Sequence, residues 1–267
     1  MIRQPAVAGS FYPANPLDLR EQVDSLLNVK CDAIKVKGLI VPHAGYIYSG
    51  AVAGEVFARA EIPKQVILLG PNHHGSGEDI AVSGADAWGT PLGNIPVAVA
   101  LRDNLTHSIP ALSVDDLAHK YEHSLEVMLP FLMRRQPELQ IVPISLGNLS
   151  LAGCLQLGTA LADALNDWND DVLLLASTDM NHFSTAARSE ELDYMAINEM
   201  TDYNPQGLYQ VVRDNRISMC GVLPSVVVMQ AAHGLGARKC HLVRYAHSGQ
   251  MNGDNSRVVG YAGFTLQ

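Results

Sequence analysis

The chain has 267 residues, 48% hydrophobic and 17% charged, enough to bury a sizeable core in one large domain. A formal charge of −9 at pH 7, with no Lys/Arg run, argues against nucleic acid or an anionic membrane as partner. No apolar stretch reaches membrane-spanning length, and Met1-Ile2-Arg3-Gln4-Pro5 lacks a signal-peptide core, so a cytoplasmic location is expected.

Ala6 to Pro16 reads as a polar arm punctuated by Gly and Pro, and Leu17 to Leu27 as a helix with Leu19, Val23 and Leu26-Leu27 at helical spacing. Lys37-Gly38-Leu39-Ile40-Val41 is a short aliphatic run that ends in Pro42-His43-Ala44-Gly45. Ala51 to Ala60 is small-residue helix. The run Gln65-Val66-Ile67-Leu68-Leu69 then stops at Gly70-Pro71 and delivers His73-His74. Runs of this kind, too short for a helix and bounded by breakers, read as strands of a parallel sheet buried on both faces.

Asp79 to Ser83 and Ile95 to Val99 read as shorter strands around the loop Trp88–Gly93, an antiparallel excursion. Asp115 to His123 is charged, and Ser124 to Arg135 continues as a helix with one apolar face. Leu139 to Ile144 is the next strand, followed by a helix over Leu149 to Trp168. Asp171 to Ala176 is a strand ending in Ser177-Thr178-Asp179-Met180-Asn181-His182. Helical patterning runs on to about Asp214 with a break at Asn204-Pro205, and again over Cys220 to His233. Two terminal strands, Lys239 to Ala246 and Arg257 to Thr265, complete the chain. The alternation predicts a single α/β domain of three αβα layers around a mostly parallel or mixed sheet.

Cys31, Cys154, Cys220 and Cys240 show no CxxC pairing, so neither a disulfide framework nor a structural zinc knot is expected. Cys220 stands apart because Gly221 follows it and a helix begins nearby.

In α/β sheets ligands collect beyond the carboxyl ends of the strands. His43, His73 and the pair Asp179/His182 each follow a strand, so one rim should gather them. A lone strand-end histidine is more often structural, and Asp179 could equally cap a following helix. Glu122-His123 could position a proton donor or simply open a helix. Convergence is what favours chemistry: imidazole and carboxylate together suit Fe, Cu or Zn better than Mg or Ca. The chain has no GxSxG, GxxxxGK[ST], HExxH or GxGxxG motif, which argues against serine hydrolases, P-loop enzymes and Rossmann dehydrogenases.

Ala6-Val7-Ala8-Gly9-Ser10-Phe11-Tyr12-Pro13, Pro42-His43-Ala44-Gly45-Tyr46, Gly70-Pro71-Asn72-His73-His74, Glu122-His123-Ser124-Leu125-Glu126, Ser177–His182 and Met219-Cys220-Gly221 together resemble the Memo family. Its microbial members are grouped as the Memo component of the AmmeMemoRadiSam system. The resemblance implies a fold similar to class III extradiol dioxygenases, with His43 and His73 as metal ligands and His182 as acid/base beside Asp179. Family members with a metal site take a third ligand from a loop Cys. Here Ser248-Gly249-Gln250-Met251 puts Met251 there, a soft thioether suited to Cu(I) more than to Fe(II) or Zn(II). The third place then falls to His182, Asp179, His247 or Asp254.

The expected function is thus a non-haem Fe, Cu or Zn site on His43, His73 and His182, with His182, Asp179 and His123 as catalytic groups. It would run a redox or lyase-type reaction on a small polar or aromatic molecule. Zinc-dependent hydrolysis on the same residues is a variant. The alternative is a degenerate pocket in a binding or scaffold protein that recognises a phosphorylated or carboxylated ligand, a peptide or a partner protein.

Overall fold

The protein is described by a computed structural model covering residues 1–267. In chain order it begins with β1 (Ile2–Arg3), α1 (Pro16–Leu27), β2 (Gly38–Val41), α2 (Tyr46–Arg59) and β3 (Gln65–Pro71). β4 (Ile80–Val82), β5 (Ala87–Thr90), β6 (Gly93–Pro96), α3 (Val99–Ser108) and β7 (Ser113–Val114) follow. Next come α4 (Leu129–Arg135), β8 (Gln140–Leu146), α5 (Leu151–Asn166), β9 (Val172–Ser177) and β10 (His182–Ser184). α6 (Ala186–Thr201), α7 (Pro205–Asp214), α8 (Val222–Gly234), β11 (Cys240–His247), α9 (Gly249–Asn252) and β12 (Val258–Leu266) end the chain.

The aliphatic runs β2, β9, β3 and β8 lie side by side in parallel, with Leu39 beside Leu175 and Val66 beside both Leu173 and Ile141. Antiparallel strands extend this core on both sides: β12, carrying β10 and β11, beyond β2, and β4 beyond β8. The sheet is therefore mixed. β1, β5 and β6 make a separate small sheet around the excursion.

Side chains alternate across each central strand, and the alternation divides the core. Leu39, Val41, Val66, Leu68, Leu173 and Leu175 face α1, α2 and α4; Ile40, Ile67, Leu69, Leu174 and Ala176 face the layer holding α5 and α8. These side chains are wholly buried, the Leu, Ile and Val among them each worth roughly 1.5–3 kcal/mol against exposure. No helix is long and apolar enough to cross a membrane.

The structure departs from the sequence reading in several places: Trp88–Gly93, read as a loop, carries the β5–β6 hairpin, and β1, β7 and β10 are strands the sequence reading did not contain. The strand expected over Ile95–Val99 ends at Pro96, and α3 takes over with Leu101 and Leu105 buried one turn apart. The helix expected from Ser124 begins later. Ser124 donates its backbone N–H to Glu122 at 2.9 Å, a tight turn covers Glu126–Met128, and α4 starts beside Pro130, which lacks the N–H a helix interior would need.

Candidate metal centre

The parallel strands all deliver their carboxyl ends to one rim. Beyond β2 comes His43, beyond β3 His73, and beyond β9 Asp179 and His182. These residues line a cavity of about 540 Å³ together with His123, Phe11 and Tyr48, and with Ser248, Asn252 and Arg257 from the β11–β12 connection. A larger apolar groove of about 660 Å³ runs along Met1–Ala6, but no imidazole lines it.

One nitrogen from each of His43, His73 and His123 lies within 4.8 Å of the others. The His73 and His123 rings stack at 4.8 Å, and His43 meets both edge-on. His123 arrives because its loop crosses the end of β3 at Gly70, where any Cβ would stand 2.6 Å from Ser124 Oγ.

The hydrogen bonds fix which nitrogens are free. Ser177 Oγ donates to the Ser124 carbonyl at 2.7 Å, so its contact with His43 Nδ1, also 2.7 Å, must be an acceptor for Nδ1–H. That leaves His43 Nε2 with its lone pair. His73 Nδ1 donates to Glu122 Oε1 at 2.9 Å, which frees its Nε2 in the same way. An imidazole whose far N–H is held by a carboxylate or hydroxyl is the usual arrangement behind a metal ligand.

Glu122 is the hub. It is wholly buried and accepts backbone N–H groups from His73 (2.7 Å), His123 (3.0 Å) and Ser124 (2.9 Å) besides the His73 ring. Burial alone would raise its pKa, but His73 and these donors hold it well below the usual carboxylate range. Burial pulls His73 down in turn, and the bond and charge of Glu122 outweigh this and raise it. His43 is pushed far below its ordinary value by burial and by its two neighbouring imidazoles, so it stays neutral. His123 is lowered by burial despite Glu122.

Asp179 does not cap a helix, since β10 follows it. Its Oδ1 accepts the His43 backbone N–H at 2.8 Å, and Oδ2 lies 4.0 Å from His43 Nε2. Burial pushes its carboxyl up to about 6. Cys220 Sγ lies 3.4 Å from His43 Nε2 and accepts the Asp179 N–H at 3.2 Å, and burial raises this thiol well above its usual value.

The third nitrogen of the group thus belongs to His123, while His182 stands outside it on the wall of the same pocket. The reason is local: β10 is an edge strand, and His182 Nδ1 donates to the Ser218 carbonyl at 2.8 Å. Asp254 is engaged by Ser256, through N–H at 2.9 Å and Oγ at 2.6 Å. His247 closes β11 opposite Gly260, off the cavity wall, and Met251 is 59% exposed and also off it. His74 turns away from His73 and meets the Tyr121 carbonyl at 3.0 Å.

The match to known proteins covers the same frame. Residues 3–265 fit the family model described as Memo-like protein. The chain belongs to the Memo-like family. A MEMO1 family protein of Aquifex aeolicus is 41% identical over 98% of both chains, and one of Methanosarcina mazei is 37% identical over 100% of this chain and 99% of its own. A crystal structure of an uncharacterized protein from Escherichia coli K12 matches with a TM-score of 0.62 at 15% identity, covering 87% of this chain and 100% of that one; this is likeness of fold. The resemblance drawn from the six motifs is therefore correct at the level of family.

The reading of Glu122 as a possible proton-donor partner missed its larger part. Its contact with His73 spans 49 residues, and nothing local in Glu-His-Ser-Leu-Glu announces it. Ser177 was passed over for the same reason: its partner His43 lies 134 residues away.

Proposed function

We propose that this family member holds one non-haem metal ion, Fe, Cu or Zn, on His43, His73 and His123, and runs a redox or lyase-type reaction on a small polar or aromatic molecule. The observation that carries the reading is the trio of imidazole nitrogens within 4.8 Å, with Nδ1–H held by Ser177 in His43 and by Glu122 in His73, and with the Cys220 thiol 3.4 Å from His43 Nε2. Three imidazoles suit these borderline metals and suit hard cations such as Mg poorly. When bound, the ion would supply Lewis acidity and, for iron or copper, electron transfer.

The protein's own part is orientation and proton handling. Glu122 and Ser177 hold the rings, so ligand geometry costs little reorganisation. His182, with Nδ1–H fixed on Ser218, keeps Nε2 to take or return a substrate proton. Asp179 braces the His43 backbone and sits beside the ring edge. Zinc-dependent hydrolysis would use the same residues without oxygen dependence.

Elemental analysis of anaerobically purified protein tests the proposal. Stoichiometric metal in the wild type and its loss in the His43→Ala/His73→Ala double variant are expected. Unchanged stoichiometry in the double variant would refute it.

A second reading, a binding or scaffold protein on a degenerate pocket, is favoured by one observation. The residue at the family's loop-Cys place, Met251, is largely exposed and lies off the cavity wall. Metal-free protein that retains ligand binding would select this reading.

A further inference from the structure

On the side of the pocket that carries His182, the mouth is made by two exposed residues, Phe183 and Arg257. Phe183 has φ +65°, a left-handed conformation that bulky side chains seldom adopt, and its ring remains 62% exposed. The Arg257 guanidinium lies over that ring at 4.5 Å.

Six of the twelve arginines, Arg3, Arg59, Arg102, Arg134, Arg188 and Arg244, pair with a carboxylate, and Arg257 belongs to the six that do not, the one of those six that lines the pocket. Arg257 forms no ion pair and its side chain donates no hydrogen bond within the protein, and the acid nearest in sequence, Asp254, is turned to Ser256. Histidines aside, Arg257 is also the only basic residue on the cavity wall, where Phe11, Tyr48 and Tyr261 supply aromatic surface.

We propose that Arg257, backed by Phe183, is a carboxylate clamp, and that the pocket takes a small molecule bearing one carboxylate on a planar apolar body. Phe183 covers one face of the guanidinium and leaves its N–H edge without a partner. That edge is a fork matching a single carboxylate in two parallel bonds. A phosphate dianion would call for further cations or a cluster of backbone donors, and the wall offers no second fixed positive charge; its one carboxylate, Asp179, stands at the imidazole end beside His43. About 540 Å³ suits a compact ligand, its ring among the aromatic side chains and its far end at the imidazoles. The proposal rests on the reading of this pocket as the reaction site, but not on metal being bound.

Calorimetric titration with benzoate, benzamide and phenyl phosphate, on both metal-free and metal-loaded full-length protein, tests it. Wild type should bind benzoate about tenfold or more tighter than the neutral benzamide, as a charge-assisted bidentate pair implies. Arg257→Gln should erase that preference and leave benzamide binding unchanged, while Arg257→Lys, which keeps the charge and loses the fork, should retain part of it. Phe183→Gly, compatible with the positive φ, should weaken benzoate a few-fold. No benzoate binding, equal binding of benzoate and benzamide, or a preference that survives Arg257→Gln overturns the clamp. Phenyl phosphate binding about tenfold tighter than benzoate would overturn the carboxylate assignment. Discrimination in a protein that takes up no metal would sink the metal reading and keep this one. Stoichiometric metal without discrimination would do the reverse.

Discussion

Glu122 and Glu126 lie four residues apart, both wholly buried, yet their partners differ in kind. Glu126 accepts from the Arg3 guanidinium, from the backbone N–H groups of Ala6 (2.7 Å) and Val7 (3.0 Å), and from Tyr12 OH (2.6 Å). All are fixed groups of the N-terminal arm, and the charge is neutralised by a permanent cation. Glu122 takes backbone donors too, but its side-chain partner is an imidazole that exchanges protons and presents another nitrogen to the pocket. Equal burial thus serves construction in one case and ligand orientation in the other. The identity of the partner decides which.

The comparison can be broken from both sides. The largest effect is expected from His43→Ala/His73→Ala, which should take metal content from stoichiometric to background by elemental analysis while the fold survives. Glu126→Gln leaves Arg3 buried without its countercharge and should cost about 3–5 kcal/mol in denaturant unfolding, with metal content per folded protein unchanged. Glu122→Gln should do the opposite and lower metal affinity about 10–100-fold in a chelator competition. If Glu126→Gln loosened metal as much as Glu122→Gln, the division of labour would be wrong.

The smallest effect concerns a third buried acid beneath the His182 loop. Asp193 accepts the Asn181 N–H at 2.7 Å and Tyr245 OH at 2.8 Å, under Gly260, where any Cβ would collide with it. Burial pushes its carboxyl up to about 7. The folded chain therefore keeps a proton there that the unfolded chain loses above about pH 4. This contribution to stability is complete below that pH and fades as pH rises to about 7. Asp193→Asn should flatten that part of the stability–pH profile, and an unaltered slope would show that the carboxyl titrates normally.

The central strands could be read from the sequence because each is an aliphatic run with breakers at its ends, as in Val66–Leu69 before Gly70-Pro71. The rim followed from those strand ends, and it brought His43 and His73 together. What could not be read was contact between segments far apart in the chain. His123 joins His43 and His73 only because its loop crosses Gly70, a fact of packing with no periodic trace. α3 was missed because its apolar positions, Leu101 and Leu105, are too few to outweigh the extended residues before them. Arg257 and Phe183 looked ordinary until the β11–β12 turn was placed beside β10.

The docking of the N-terminal arm has a consequence for how the protein comes to be. Arg3, Ala6, Val7 and Tyr12 are synthesised long before their acceptor, and the hydroxyl of Tyr12 meets Glu126 across 114 residues. Phe11 rides on that segment, its ring tilted against that of His123 with centroids 4.7 Å apart. A growing chain cannot close this contact on the ribosome until nearly half its length has emerged, so one side of the pocket belongs to the earliest translated residues yet waits for mid-chain ones. Such non-local closure slows folding, and the wait leaves the arm open to chaperones and proteases.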